Sequence, residues 1–306
     1  MTQFYDTPVQ SRPNPQKRNL LIRRLARAPW WMLVLAILII VFVLNVQHKH
    51  PYPVVWRAVQ EGIVTTIWVS LVAYGLALVL GLLLALTRRS SNVIVYQVAT
   101  FYVETVRGIP TLVLVYYMAL ALIPKIISEL NGLGEWLINN DVSIGLGIKL
   151  SLDSLGTQLA GYRSRDFSNS YRAIIGLAIS YSAFLSEIFR AGIDSISEGQ
   201  HEAAASLGMT RWQVMRLIVL PQAFRVVLPP LGNDFIAMLK ESSLVSVLGV
   251  PDITRRGQTY AASTFTFFQV YNVVALTYLV LTLALSMMVK AMEMYLDRGK
   301  HRRGLD

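Results

Sequence analysis

The chain alternates between long apolar runs and short polar or charged connections, and run length is the first thing that sorts it. A helix crossing the hydrocarbon core takes about 20 mostly apolar residues, because an unpaired backbone amide in lipid is costly. Six stretches qualify. WWMLVLAILIIVFVLNV (30–46) is short but free of charge, and GIVTTIWVSLVAYGLALVLGLLLAL (62–86) is the clearest. A third covers 105–123, lengthened backwards by VIVYQVATFYVE, and a fourth covers 173–193. The fifth starts near Phe224 and runs through VVLPPLGNDFIAMLKESSLVSVLGV, interrupted by prolines and charges; the sixth is 267–289. The pattern predicts an all-α, polytopic membrane protein of about six transmembrane helices. Its divisions are a basic tail (1–29), an N-terminal anchor (30–46), a core (62–292) and a second basic tail (293–306). Within the core lie an outer insertion (124–171) and a polar loop (194–221).

Composition agrees. The 306 residues are 54% hydrophobic and 15% charged, against about a quarter charged in soluble domains. The net charge of +10 sits in the tail and short loops rather than on aromatic-interleaved faces, which argues against nucleic acid as a partner. With no cysteine, disulfides, thiol catalysis and Cys-ligated metals are excluded. His48 and His50, flanking Lys49, read as a polar cap at a membrane surface rather than a metal site, so no metal is expected.

Charge also orients the chain. Arg12, Lys17, Arg18, Arg23, Arg24 and Arg27 precede the first span against one acid, Asp6, which places the N-terminus in the cytoplasm. Six spans return the C-terminus to that side, and Arg88 and Arg89 after the second span agree. Arg255 and Arg256 fall on the outer side against the trend, which marks them as locally bound or functional. The first apolar run is long for a signal peptide and is followed by QHKHPYP, without a small-x-small cleavage site, so it reads as a retained anchor. The twin arginine in IRRLARA lacks the rest of an export signal. Residues 1–19 read as unstructured. In the insertion, PKIISELNGLGEWLI is expected to lie at the interface as an amphipathic helix held by Trp136. The rest of the insertion reads as a variable loop or as a contact for an extracytoplasmic partner.

No G-x-x-x-x-G-K-[ST] occurs, so the chain offers no P-loop for ATP, and G-x-S-x-G and H-E-x-x-H are also absent. GLGIK at Gly145 reads as a loop. The polar loop is more informative. Glu202, Ala203 and Ala204 are followed after three residues by Gly208, after nine more by Ile218, and then by Leu220 and Pro221. Alanines favour helix and let another surface approach closely. Gly208 permits a break into two short helices at an angle, and Pro221 is expected to stop the second before span five.

This spacing resembles the EAA signature of the membrane subunits of bacterial ATP-binding-cassette importers, matching it at every fixed position. YVETVRGIPTLVLVYY, YSAFLSEIFRAGI and LPPLGNDFIAMLKESSLVSVLGVPDITRRGQ extend the resemblance to permeases of the polar amino-acid uptake branch. The usual core of that branch has five spans, to which this chain adds the anchor and the insertion. The resemblance implies a permease subunit that moves polar amino acids, acidic and neutral polar ones included, across the bacterial inner membrane. It implies two ATP-binding-cassette ATPase subunits carrying ATP and Mg, with no cofactor in this chain. It also implies a second permease subunit, by analogy a paralogue in a heterodimer, and an extracytoplasmic amino-acid-binding protein. Glu202 would pair with the ATPase, Gly208 would be the hinge, Ala203 and Ala204 the close-packing face, with Leu220 and Pro221 completing the coupling segment.

Charges within spans usually face a cavity or a partner. The candidates are Glu104, Arg107, Glu187, Arg190, Asp234, Lys240 and Glu241. Glu187 is a candidate acceptor for a substrate ammonium, and Asn233, Asp234, Lys240 and Glu241 are further candidate substrate contacts. Free amides where the helix breaks around Pro229, Pro230 and Gly232 are candidate donors. Tyr181 and Ser186 are candidate lining. Against this, Glu187 with Arg190, and Glu104 with Arg107, are spaced to pair within their own helices. The residues alone also leave open an ion-gradient-driven secondary transporter or channel, and a membrane scaffold or sensor.

Overall fold

The computed structural model describes residues 30–139, 142–144, 148–150 and 153–301. The expected unstructured segment 1–19 and the arginines that orient the N-terminus lie outside the described residues. Among the described residues, ten helices of four residues or more follow in order. They are α1 (Trp30–His48), α2 (Tyr52–Thr87), α3 (Val93–Gly108), α4 (Thr111–Asn139) and α5 (Asp153–Gly161), then α6 (Asn169–Asp194), α7 (Glu198–Ser206), α8 (Arg211–Leu248), α9 (Ile253–Thr264) and α10 (Phe267–His301). Helices α2, α4, α6, α8 and α10 are long and apolar enough to cross a membrane, and α1 is a shorter apolar helix. Between α4 and α5, β1 (Val142–Ile144) and β2 (Ile148–Leu150) pair antiparallel, with Ser143 opposite Lys149.

Small residues decide which helices meet. Lipid tails are as apolar as leucine, so helices associate in a bilayer where small side chains let backbones approach. In α2 these recur about every fourth residue, at Thr66, Ser70, Ala73, Ala77, Gly81 and Ala85, all buried, while Leu76, Leu80 and Leu83 on other faces are exposed. The stripe packs on α6: a Cβ at Gly81 would lie 2.8 Å from the Leu185 Cβ. Helix α6 is the centre of the bundle, with 67% of its apolar window buried against 17% for α10. At the far end of α2 a Cβ at Gly62 would sit 2.5 Å from the Asp252 carbonyl carbon, so α9 rests directly on the α2 backbone.

The expected third span is not continuous. Ile109 is extended at φ −101°, ψ 132°, because the ring of Pro110 disfavours the helical region for the residue before it. Helix α3 ends there, and the span is α4. PKIISELNGLGEWLI is not a separate interfacial helix but continues α4 past a π turn at Tyr117–Leu122. At about 1.5 Å per residue the 29 residues of α4 reach about 43 Å, well beyond the hydrocarbon. Arg172, buried in α6, holds this region together by donating to the carbonyl of Ala119 at 2.8 Å in the π turn, and to Phe167 and Ser164.

Two proline expectations also fail. Pro221 does not stop a helix; the chain runs from Arg211 to Leu248, with Pro221 near the start of its main α segment, just after a π turn at Met215–Val219. The widened turn shifts the backbone pairing immediately before a residue with no N–H to donate. Pro229 and Pro230 likewise lie inside continuous helix, so no broken segment offers free amides there. The change in α8 comes later, where Ser242–Leu248 tightens to a 3-10 helix ending at Gly249, φ 79°.

Candidate functional site

The loop between α6 and α8 is built by two local devices. Helix α7 ends in a Schellman arrangement: Gly208 N–H donates to Ala205 O at 2.9 Å and Met209 N–H to Ala204 O at 3.2 Å, with Gly208 at φ +75°. Helix α8 then starts on a capping box, Thr210 N–H donating to Gln213 Oε1 at 2.8 Å while Gln213 N–H returns to Thr210 Oγ1. Gly208 therefore does make the break, although the second helix is the beginning of a span rather than a separate short one. Ala204 is buried with Ile193, Val214, Val219 and Ala223, so it seats α7 against its own subunit. Glu202, Ala203 and Pro221 are exposed and Leu220 is half-buried. Motif spacing does not mark the most exposed apolar side chains here, Leu207 at 81% and Trp212 at 68%.

Deeper in the bundle, the tertiary structure gathers part of the expected pocket. Asp234 and Glu241 lie seven residues apart on one face of α8, and Tyr181 of α6 faces both. Tyr74 of α2, absent from the sequence candidates, joins them: its ring packs on Phe235 at 5.1 Å and it lies beside Asp234 and Tyr181. Asp234 Oδ2 is buried without a hydrogen-bond partner. The single tyrosine in the middle of the apolar run 62–86 was the signal that could have found Tyr74. Asn233 and Lys240 are exposed on a neighbouring face. Ser186 is buried and donates to Ala183 O of its own helix at 2.8 Å. Beside this cluster an apolar cavity of about 830 Å³ opens between α2, α6 and α8, bordering it at Tyr74 and Phe235.

Glu187 stands apart. Its Oε1 accepts from Arg88 at 2.6 Å and from Arg107 at 3.5 Å, and its Oε2 from Arg190 at 3.0 Å. The expected Glu187–Arg190 pair is present, while Glu104 meets Arg88 at 3.9 Å. Arg107 also lies 5.9 Å from the Phe184 ring centroid. One turn beyond Arg190, Arg89 pairs with Asp194, the last residue of α6.

At the opposite end of α2, Arg256 pairs with Glu61 at 2.8 Å, which accounts locally for one of the two outlying arginines. Asp252 caps α9, accepting from Arg255 N–H at 2.7 Å and from the Tyr278 hydroxyl at 3.2 Å. Burial pushes its carboxyl up to about 6.

Comparison with known proteins places this architecture. The glutamine transport system permease protein GlnP of Escherichia coli (strain K12) is 31% identical over 80% of this chain and 97% of its own length. The probable amino-acid permease protein YxeN of Bacillus subtilis (strain 168) is 33% identical over 74% of this chain and 86% of its own. A crystal structure of an amino acid ABC transporter with histidines is 33% identical, covers 78% of this chain and 94% of that one, and superposes with a TM-score of 0.60. These likenesses go against an ion-gradient-driven transporter. The model described as "binding-protein-dependent transport system inner membrane component" matches residues 77–302, and the chain belongs to that family: it is the multi-pass inner-membrane subunit of an ATP-binding-cassette importer, a transport component whose ATPase and substrate-binding protein are separate partners.

Proposed function

We propose that the chain is a permease subunit for polar amino acids, acting as one of two membrane subunits, the second a paralogue, with both its termini in the cytoplasm. The observation that carries the reading is the loop 194–221. It has the full EAA spacing, it is hinged at Gly208, and it turns Glu202, Leu207 and Trp212 outward between the two helices that bear Tyr181, Asp234 and Glu241. Glu202 and Ala203, with Leu207 and Trp212, form the face offered to the ATPase. Gly208 is the hinge, Ala204 fastens the loop to its own subunit, and Leu220 and Pro221 carry movement into α8.

The cargo is read from the inner cluster and from the relatives named for glutamine and amino acids. Asp234 and Glu241 suit an ammonium group, and the Tyr181 hydroxyl, hydrogen-bonded to Glu241, orients that carboxylate. Two carboxylates at one site repel a third, which favours neutral polar or basic side chains over acidic ones. Asn233 and Lys240 are positioned to act from the subunit surface, where a second permease would pack.

The test is uptake into proteoliposomes carrying the complete importer, with a panel of labelled amino acids, ATP inside and an uncoupler as control. ATP-dependent uptake that withstands the uncoupler is expected. Uptake that persists without ATP hydrolysis and collapses with the uncoupler would overturn the reading. Glu202→Lys should leave the subunit inserted while separating ATP hydrolysis from transport, and wild-type transport in that variant would remove its assigned role.

A further inference from the structure

Glu187 was a candidate substrate acceptor, yet both of its oxygens are occupied by arginine. Arg88 follows the last residue of α2, and its side chain is only 6% exposed. Burying a guanidinium is costly unless it is paired, and removing one partner of a buried pair leaves the other charge uncompensated. The Glu187 carboxylate therefore holds the α2 terminus in place. Seven residues on, along the same face of α6, Asp194 takes Arg89, the next residue of α2. Two consecutive arginines thus fasten the end of α2 to the last two turns of α6, immediately before the coupling loop.

The mechanical consequence follows from where the two helices lead. Helix α6 carries Tyr181 six residues before Glu187, about 9 Å up the helix, and α2 carries Tyr74 fourteen residues before Arg88, about 21 Å up. Along this length Gly81 packs against Leu185 and Ser182, so α2 and α6 are in backbone contact. Asp234 and Glu241 face them from α8, which leaves the coupling loop on the other side of Gly208.

We propose that the Arg88–Glu187 ion pair, seconded by Arg89–Asp194, is a strut that makes α2 move with α6, so that coupling-loop movement displaces Tyr74 and Tyr181 together against the carboxylates of α8. Glu187 is then a positioning residue of energy coupling and touches no substrate. Its main pair, Arg88–Glu187, lies outside the EAA loop and joins residues 99 positions apart.

The experiment compares Glu187→Gln and Arg88→Lys against the wild-type importer in proteoliposomes. A mixture of labelled amino acids is the probe, and uptake per ATP hydrolysed and half-saturating concentration are both read. In Glu187→Gln the uptake per ATP is expected to fall about tenfold, with half-saturation held within about twofold. Arg88→Lys keeps the charge without the guanidinium fork and should lose an intermediate amount. A raised half-saturating concentration with intact uptake per ATP would overturn the strut and return Glu187 to the substrate site. Unchanged values in both Glu187→Gln and Arg88→Lys would overturn it as well, and Arg88→Lys still decides if Glu187→Gln fails to insert. Absence of ATP-driven uptake in the wild type would instead count against the transport reading itself.

Discussion

The Tyr74 hydroxyl donates to the main-chain carbonyl of Leu231 at 2.6 Å, joining α2 to α8 one turn before Asp234. The bond is buried and registers the second span against the carboxylate-bearing turn of the fifth. Tyr74→Phe deletes one buried hydrogen bond, worth about 1 kcal/mol. The purified subunit should melt at lower temperature, and half-saturating substrate should rise a few-fold. Unchanged melting and uptake would show that the bond sets no register.

Gly62→Ala tests the contact between α2 and α9. The added methyl meets backbone atoms of Asp252 and Ile253 at 2.5 Å, which cannot give way as a flexible side chain would. Overpacking of this kind costs about 1–3 kcal/mol. The variant should show reduced thermal stability in detergent, whereas Gly75→Ala, with nothing near its added methyl, should match the wild type.

Gly208→Ala tests the hinge. At φ +75° an alanine is strained by about 1–2 kcal/mol, and nothing else lies within reach of the methyl. The strain falls on the α7–α8 junction, so co-purification of the ATPase with this subunit should weaken. ATPase recovery equal to the wild type would show that the left-handed turn is dispensable for docking.

Asp252 supplies a pH dependence. Its folded carboxyl is raised to about 6 by burial, so the native state holds the proton more firmly than the unfolded chain. The stabilising contribution is complete below about pH 4 and is lost as pH rises through about 6. Asp252→Asn keeps an acceptor for the Arg255 amide and removes the titration. Its melting temperature should therefore lack the wild type's decline across that window. Asp252→Ala loses the cap and should cost about 1–2 kcal/mol at any pH. Parallel melting profiles for wild type and Asp252→Asn would rule out this assignment.

The comparison of sequence and structure turns on particular residues. The apolar runs located every candidate span, yet the window across 105–123 bridged Ile109, where Pro110 ends one helix and begins another. Hydropathy averages over a local steric break. Pro221, Pro229 and Pro230 go the other way: each reads as a helix breaker, yet α8 continues through all three, with a π turn at Met215–Val219 just before Pro221. In the sequence Arg88 is visible only as an orienting charge, because its partner lies 99 residues away.

What the sequence by itself determined rests on local physics and on hydrocarbon thickness. Those constraints yield a membrane bundle, a break at Gly208, and a loop whose spacing names the machine class. Which charges meet was decided only in three dimensions. Helices in lipid are paired by small-residue stripes on faces separated by long stretches of chain, and that pairing delivers Glu187 to Arg88 while gathering Tyr74, Tyr181, Asp234 and Glu241 elsewhere. The same residue types, a glutamate and its neighbours within apolar spans, thus become a fastening at one level of the bundle and a candidate substrate site at another, because helix packing sets the surroundings of each carboxylate.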